Sequence, residues 1–313
     1  MSAIERLGLG LAALGRPAYI NVGRTAELPA TREVPAMRTA TWEVLDAAYA
    51  AGIRWVDAAR SYGLAEEFLA GWLTDRDHRD VTVSSKWGYA YVGEWRVDAD
   101  VHEVKEHTLT RYQSQLAETR ALLGDRLQLY QVHSLTSDSP LFADAALQRA
   151  LAETAAAGLP MGFSTTGPGQ ADAVRRALEL KVDGRLLFTS VQSTWNLLEP
   201  SALPALREAH DAGLRVMIKE AMANGRLAVD PLRPLARLAE RHGVGPDAVA
   251  LAAALARLPW ADTVLLGAVS VAQLHANLEA AKLALTAADL TDLAPLATPP
   301  ADYWSARSAL PWA

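Results

Sequence analysis

The sequence has no cysteine among its 313 residues, which excludes disulfides and thiolate-bound metals. It also lacks a long apolar run. A spanning helix needs roughly 18 such residues, and AVALAAALA, at 248–256, is the nearest approach. The opening MSAIERLGLG has no basic stretch followed by an apolar segment and a small-residue cleavage site. It does not read as an export signal, so a soluble, cytoplasmic protein is expected. Positive charge is in the minority: 30 Lys and Arg face 36 Asp and Glu, a net charge of −6. The basic patch that serves nucleic acids or anionic membranes is not expected, and neither are those partners. No segment is of low complexity, and the pattern leaves the oligomeric state open.

What is present is a strand–helix alternation. Half the residues are hydrophobic and 21% are charged, enough for a sizeable core. Short β-rich runs recur at 6–14, 53–58, 81–86, 127–133, 159–164, 186–192, 214–219 and 262–267. Between them lie amphipathic stretches near 40–51, 64–74, 101–123, 143–157, 169–181, 201–212, 231–242, 246–257 and 271–282. Gly stands just before several runs, in AAGIRW, AAGLPM and DAGLRV, as where a helix ends and a buried strand begins. Such alternation implies right-handed βαβ units and a parallel sheet. Eight units without a linker predict an α/β protein, a single-domain (β/α)8 TIM barrel spanning 1–313. An open dinucleotide-binding sheet fits less well, because Gly8, Gly10 and Gly15 have the wrong spacing for G-x-G-x-x-G. Residues 15–39 and the tail from 297 read as irregular arms lying over one mouth.

In such a barrel the chemistry sits where the strands end. Asp57 ends the second run, Tyr62 lies on the loop after it, Lys86 ends the third and His133 the fourth. Singly, each has an ordinary explanation as turn, lid or rim. Together, on adjacent strands, they make a proton-transfer group. A phenol with a pKa near 10 is a poor acid at neutral pH. An ammonium beside it is expected to lower that value, with a carboxylate orienting the ammonium. A neutral histidine can hydrogen-bond a carbonyl oxygen. No metal cluster is expected, and GFSTTG lacks the G-x-S-x-G spacing of a nucleophile elbow. Without a metal, proton delivery to a carbonyl calls for a hydride partner, which points to a nicotinamide cofactor.

These segments resemble the aldo-keto reductase superfamily along essentially the whole chain. VDAARSYG is similar to D-T-A-x-x-Y-G with Ala58 for Thr, SSKWG to the strand-three lysine segment, and LQLYQVH to D-L-Y-x-x-H with Gln128 for Asp. The resemblance implies Tyr62 as acid/base, Lys86 and Asp57 as its partners, and His133 as the substrate-orienting group. It also implies cofactor contacts from Ser164 and Thr165 (the Ser-Asn pair of the family) and from Gln192. In place of the family's stacking aromatic after strand seven stand Lys219 and Glu220, followed by a segment at 225–227, beginning with Gly225, that resembles the pyrophosphate-covering loop. GAVSVAQLHANL keeps Gly267, Ser270, Gln273 and Asn277 of the phosphate grip, with Gln273 for Arg and Ala276 for the acid. NADP is the family expectation, and Gln273 and Ala276 make NAD plausible, since Gln has no charge to hold a 2′-phosphate.

Trp87 and Tyr89, next to Lys86, and Trp195, just after Gln192, are expected to bind substrate. Trp42 and Trp72 are expected to pack, while Tyr19, Asn21, Arg24, Tyr303 and Trp304 are candidates to close over the mouth. The sequence thus predicts an NAD(P)-dependent oxidoreductase acting on a small aldehyde, ketone, alcohol or sugar, with a tyrosine acid/base. The alternatives are a non-redox eliminating or epimerising enzyme on this scaffold, and a nucleotide-sensing binding subunit.

Overall fold

The computed structural model describes residues 2–313. The side chain of Arg24, one of the mouth candidates, lies outside the described residues. Eight strands form the barrel: β1 (Leu7–Gly10), β2 (Trp55–Asp57), β3 (Thr82–Trp87), β4 (Leu127–Leu135), β5 (Met161–Thr165), β6 (Ser190–Thr194), β7 (Arg215–Lys219) and β8 (Thr263–Leu266). Each pairs in parallel with its neighbours, and β8 closes on β1 through Leu7–Val264, Gly8–Leu265 and Leu9–Leu266. The outer layer comprises α1 (Val34–Ala50), α2 (Ala65–Arg76), α3 (Leu109–Leu123), α4 (Ala145–Ala156), α5 (Gln170–Leu178), α6 (Leu203–Asp211), α7 (Arg233–His242), α8 (Pro246–Arg257) and α9 (Val271–Leu278). Two more helices, α10 (Ala287–Leu293) and α11 (Pro300–Ser308), follow. The strand–helix alternation of the sequence is therefore a single-domain (β/α)8 barrel.

A strand turns successive side chains to opposite faces, and that period sorts the barrel interior. Trp55, Leu129, Met217 and Leu265 form a small apolar cluster separate from the main core. Two residues further along the same strands the lumen becomes polar, with Asp57, Gln131, Lys219 and Gly267. The intervening Val56, Tyr130, Ile218 and Leu266 belong to the larger core beneath the helices. One step of two residues thus separates a greasy floor from the chemistry above it.

Three expected boundaries move. The stretch 101–123 is not one helix: Glu103–Lys105 pairs antiparallel with Tyr89–Tyr91, and α3 starts only at Leu109. Thr108 explains that start, its Oγ1 accepting from the amide of Arg111 at 3.2 Å. The first helix begins at Val34, with a proline in its first turn, so it starts six residues before the expected 40. The tail is not irregular throughout, because α11 starts at Pro300. No described helix is long and apolar enough to cross a membrane.

Candidate active site

Three strand residues, Asp57, Lys86 and His133, converge at the C-terminal mouth with Tyr62 of the loop after β2. Lys86 lies along β3 with its side chain in the lumen, and its three N–H groups are all engaged. Nζ pairs with Asp57 Oδ2 and donates to the Ala58 carbonyl at 2.9 Å and to the Tyr62 hydroxyl at 3.2 Å. The other carboxylate oxygen of Asp57 accepts from Ser84 Oγ at 2.7 Å and from the amides of Gln131 and Gln192, each at 3.1 Å. A buried charge tolerated on these terms is both paired and hydrogen-bonded. His133 meets the Tyr62 ring edge-on at 5.4 Å and has Nδ1 3.4 Å from Ser61 Oγ. Its carbonyl accepts from His107 Nε2 at 2.8 Å, which braces the end of β4.

The expected lowering of the Tyr62 pKa is corrected by this arrangement. Burial, seconded by the Asp57 carboxylate, pushes the hydroxyl well above its ordinary value, and the nearby Arg16 only partly opposes them. The Lys86 charge is already paired with Asp57, so little of it is left to favour a phenolate. Tyr62 is therefore a neutral phenol. His133 is neutral too: burial, then the Lys86, Lys219 and Arg16 cations, hold it well below the usual imidazole range.

A cavity of about 310 Å³ opens above this group, within the range of small-molecule sites. Tyr62, His133, Asp57 and Gln192 line it, as do Lys219, Gly225 and Gly267. Ser164 and Thr165 do not reach it. Ser164 accepts from the Ser134 amide at 2.9 Å, and Thr165, facing the helices, bonds Ser193 Oγ at 2.6 Å. The next residue, Thr166, lines the cavity instead. Ser270 caps α9, accepting from the Gln273 amide at 3.1 Å, while Gln273 Oε1 accepts from the Val269 amide at 3.1 Å. Asn277 donates to Asp247 at 2.7 Å, and its Oδ1 is buried with no hydrogen-bond partner among the described residues. These three stand beyond Gly267, outside the cavity proper.

Trp87 and Trp195 are corrections. Both are buried in the main core and neither lines the cavity. Trp87 follows Lys86 directly, so the strand period turns it outward, where it packs on Tyr112 at 5.0 Å. Tyr89 and the first-arm residues Tyr19 and Asn21 do line the cavity, whereas Tyr303 and Trp304 are buried and do not line it.

Sequence reading missed two charged groups. Arg16, 1% exposed at its side chain, pairs with Glu103 at 2.7 Å and lies 5.0 Å over the Tyr62 ring, 4.4 Å over Tyr19 and 4.9 Å over Trp312. Arg307 of α11 grips Glu220 in a fork, Nε to Oε2 at 2.9 Å and Nη2 to Oε1 at 2.5 Å, with Lys219 Nζ 3.5 Å from the same carboxylate. Burial works to raise the Glu220 carboxyl, but Arg307 and Lys219 overcome it and hold it at about 2. Burial lowers Lys219 to about 8, with Glu220 opposing. No group of three or more His, Asp or Glu side chains suited to a metal occurs among the described residues.

A parallel (β/α)8 barrel with Tyr, Lys, Asp and His drawn together at its C-terminal mouth defines a class of oxidoreductase scaffold. The chain belongs to the aldo/keto reductase family, whose model matches residues 6–297. At the level of the family it is an NAD(P)-dependent carbonyl oxidoreductase. Among solved structures it is similar to an aldo-keto reductase from Bacillus halodurans in its holo form, at 22% identity and a TM-score of 0.69, over 94% of this chain and 92% of that one. It is also similar to a structure from Pseudomonas aeruginosa described as an aldo-keto reductase, at 21% identity and a TM-score of 0.64, over 88% and 89%. These two likenesses speak for the fold. No curated protein matches the chain.

Proposed function

We propose that this protein reduces a small aldehyde or ketone, and oxidises the matching alcohol in reverse, with Tyr62 passing the proton. The observation that carries the reading is the buried line Asp57–Lys86–Tyr62, with His133 against the Tyr62 ring. Tyr62 is a neutral phenol, so it donates to the carbonyl oxygen as negative charge develops there. Lys86 hydrogen-bonds the phenolic oxygen and stabilises it once the proton has left. His133, neutral in its buried setting, donates a hydrogen bond to the same carbonyl oxygen and fixes its orientation. Asp57 keeps Lys86 aimed, itself held by Ser84, Gln131 and Gln192.

NAD or NADP supplies the hydride when bound. The residues present fit such a group. Lys219, Gln192, Gly225 and Gly267 line the cavity and would hold the nicotinamide half, while Ser270, Gln273 and Asn277 on α9 would hold the adenosine half. The unpartnered Oδ1 of Asn277 is an acceptor suited to an adenine amino group. The Lys219 stem offers apolar packing where an aromatic face is absent.

The test is a panel of aldehydes and ketones followed through oxidation of NADH and NADPH, repeated with Tyr62→Phe. Turnover falls by about 10²–10⁴-fold, the size of a lost general acid, while dinucleotide affinity changes less than about threefold. Full turnover in Tyr62→Phe sinks the proton role, and absence of dinucleotide binding in the wild type sinks the whole reading.

A further inference from the structure

The long arm between β1 and α1, whose Tyr19, Ile20 and Asn21 line the cavity, is tied down at two places. At the first, the Val22 amide donates to the Asn224 carbonyl at 2.9 Å. There Gly225, at φ +84°, leaves no room for a side chain: a Cβ would sit 2.3 Å from the Val22 carbonyl oxygen. At the second, 243 residues apart in sequence, the Glu27 carboxylate accepts from Ser270 Oγ at 2.7 Å. Ser270 is the N-cap of α9, and the buried, unpartnered Asn277 Oδ1 lies two turns further along that helix. An anionic side chain therefore stands where the reading above puts the adenosine end of the dinucleotide.

The stretch 267–278, GAVSVAQLHANL, contains neither Lys nor Arg, and Glu27 makes no salt bridge among the described residues. A 2′-phosphate needs a cation, best a guanidinium, and here it meets a carboxylate. A free ribose offers the opposite match, since its vicinal hydroxyls donate to a carboxylate, the device by which acidic residues read an unphosphorylated ribose in dinucleotide-binding folds.

We propose that Glu27, presented by this arm and held at Ser270, selects the dinucleotide: it accepts from the ribose hydroxyls of NAD(H) and turns away the 2′-phosphate of NADP(H). This rests on the proposed function, because it takes the start of α9 as the adenosine end. Glu27 is exposed, so its replacement leaves the core untouched.

The experiment titrates the full-length protein with NADH and NADPH, reading the change in nicotinamide and tryptophan fluorescence. Adenosine 5′-monophosphate and adenosine 2′,5′-bisphosphate serve as competitors that report on the adenosine end alone. The wild type binds NADH more tightly by on the order of tenfold or more, the size of one like-charge contact at a protein surface. Glu27→Gln weakens NADH and tightens NADPH, so the ratio of the two dissociation constants shrinks about tenfold, and Glu27→Arg inverts it. Thermal melting shows that both variants stay folded. If both dinucleotides bind but the wild type favours NADPH, or Glu27→Gln leaves the ratio unchanged, the role of Glu27 falls and the proposed function stands. If neither binds, both fall.

Discussion

Replacing Arg307 by Met tests the most heavily charged part of the cavity wall. Arg307 makes three hydrogen bonds to Glu220, and the side chains are 18% and 8% exposed. Glu220 is held at about 2 against an ordinary 4.5. About 2.5 pH units at about 1.4 kcal/mol each correspond to about 3–4 kcal/mol of stability carried by its charged form. Lys219 at 3.5 Å and Thr194 at 3.4 Å remain when Arg307 is gone, so the loss is about 2–3 kcal/mol, toward the low end for breaking a buried pair. Unfolding entropy of about 2.1 cal/mol/K per residue over 313 residues is about 0.66 kcal/mol/K, which places the melting temperature of Arg307→Met about 3–5 °C below wild type at pH 7. The double variant Glu220→Gln/Arg307→Met removes the stranded charge as well. It melts higher than the sum of the two single losses allows, by about 1 kcal/mol or more. The sign of the pH dependence follows: a depressed carboxylate contributes fully above its unfolded value and loses that contribution as pH falls from about 5 toward 2. The wild type therefore loses its advantage over Glu220→Gln across that window. Calorimetry at several pH values checks both points. A melting temperature for Arg307→Met within 1 °C of wild type, or strict additivity in the double variant, refutes the assignment of a stabilising buried pair.

Three further outcomes are expected. Lys219 ionises near 8 in the folded protein and borders the cavity, so oxidised nicotinamide, which carries a ring cation, binds more tightly as pH rises through 8, while reduced nicotinamide does not; in Lys219→Met this pH dependence disappears from the titrations. Gly15→Ala puts a Cβ 2.3 Å from the Tyr62 carbonyl oxygen and 2.4 Å from Ala65 Cβ, and the forced shift costs about 1–3 kcal/mol and displaces Tyr62, which a paired melting and kcat measurement detects; normal kcat in a destabilised variant separates packing from positioning and counts against the latter. Trp312→Ala removes a ring stacked on His102 at 4.3 Å and standing 4.9 Å from Arg16, contacts together worth about 1–2 kcal/mol, so KM rises about 5- to 30-fold with kcat little changed, and an unaltered KM argues that the tail does not wall the substrate side.

Much of this was legible before any coordinate. The eight runs and the Gly-before-strand junctions gave the barrel, because a buried parallel strand and an amphipathic helix leave distinct periods in the chain. Reading each strand to its end points to Asp57, Lys86 and His133, which the structure brings together. Where the reading went wrong, the period of two explains it. Trp87 stands next to Lys86, which suggests a substrate contact, yet adjacency in a strand puts a residue on the opposite face, and the same alternation carries Thr165 to Ser193 and leaves Thr166 at the cavity. The contacts that shape the mouth had no local signal. Arg16 meets Glu103 and Arg307 meets Glu220 across 87 residues each, and Glu27 meets Ser270 across 243. Such pairs exist only once the barrel has closed and its arms have folded back over one end.

The charge pattern of that mouth bears on direction. Lys86 faces Asp57, Arg16 faces Glu103, and Lys219 and Arg307 share Glu220. Each cation meets a carboxylate, and on Tyr62 only Arg16 opposes burial, and only in part. Desolvation then dominates, and it favours the neutral form of every group it touches: the phenol keeps its proton and the imidazole of His133 lacks one. Under the proposed function, a proton-bearing phenol and a neutral hydrogen-bonding imidazole suit a carbonyl oxygen that gains negative charge. An alcohol would need the phenol deprotonated beforehand. The oxidative direction should therefore accelerate with rising pH over a range where the reductive direction stays flat or declines, and that asymmetry should vanish in Tyr62→Phe. An oxidation rate independent of pH would mean that some group other than Tyr62 takes the proton.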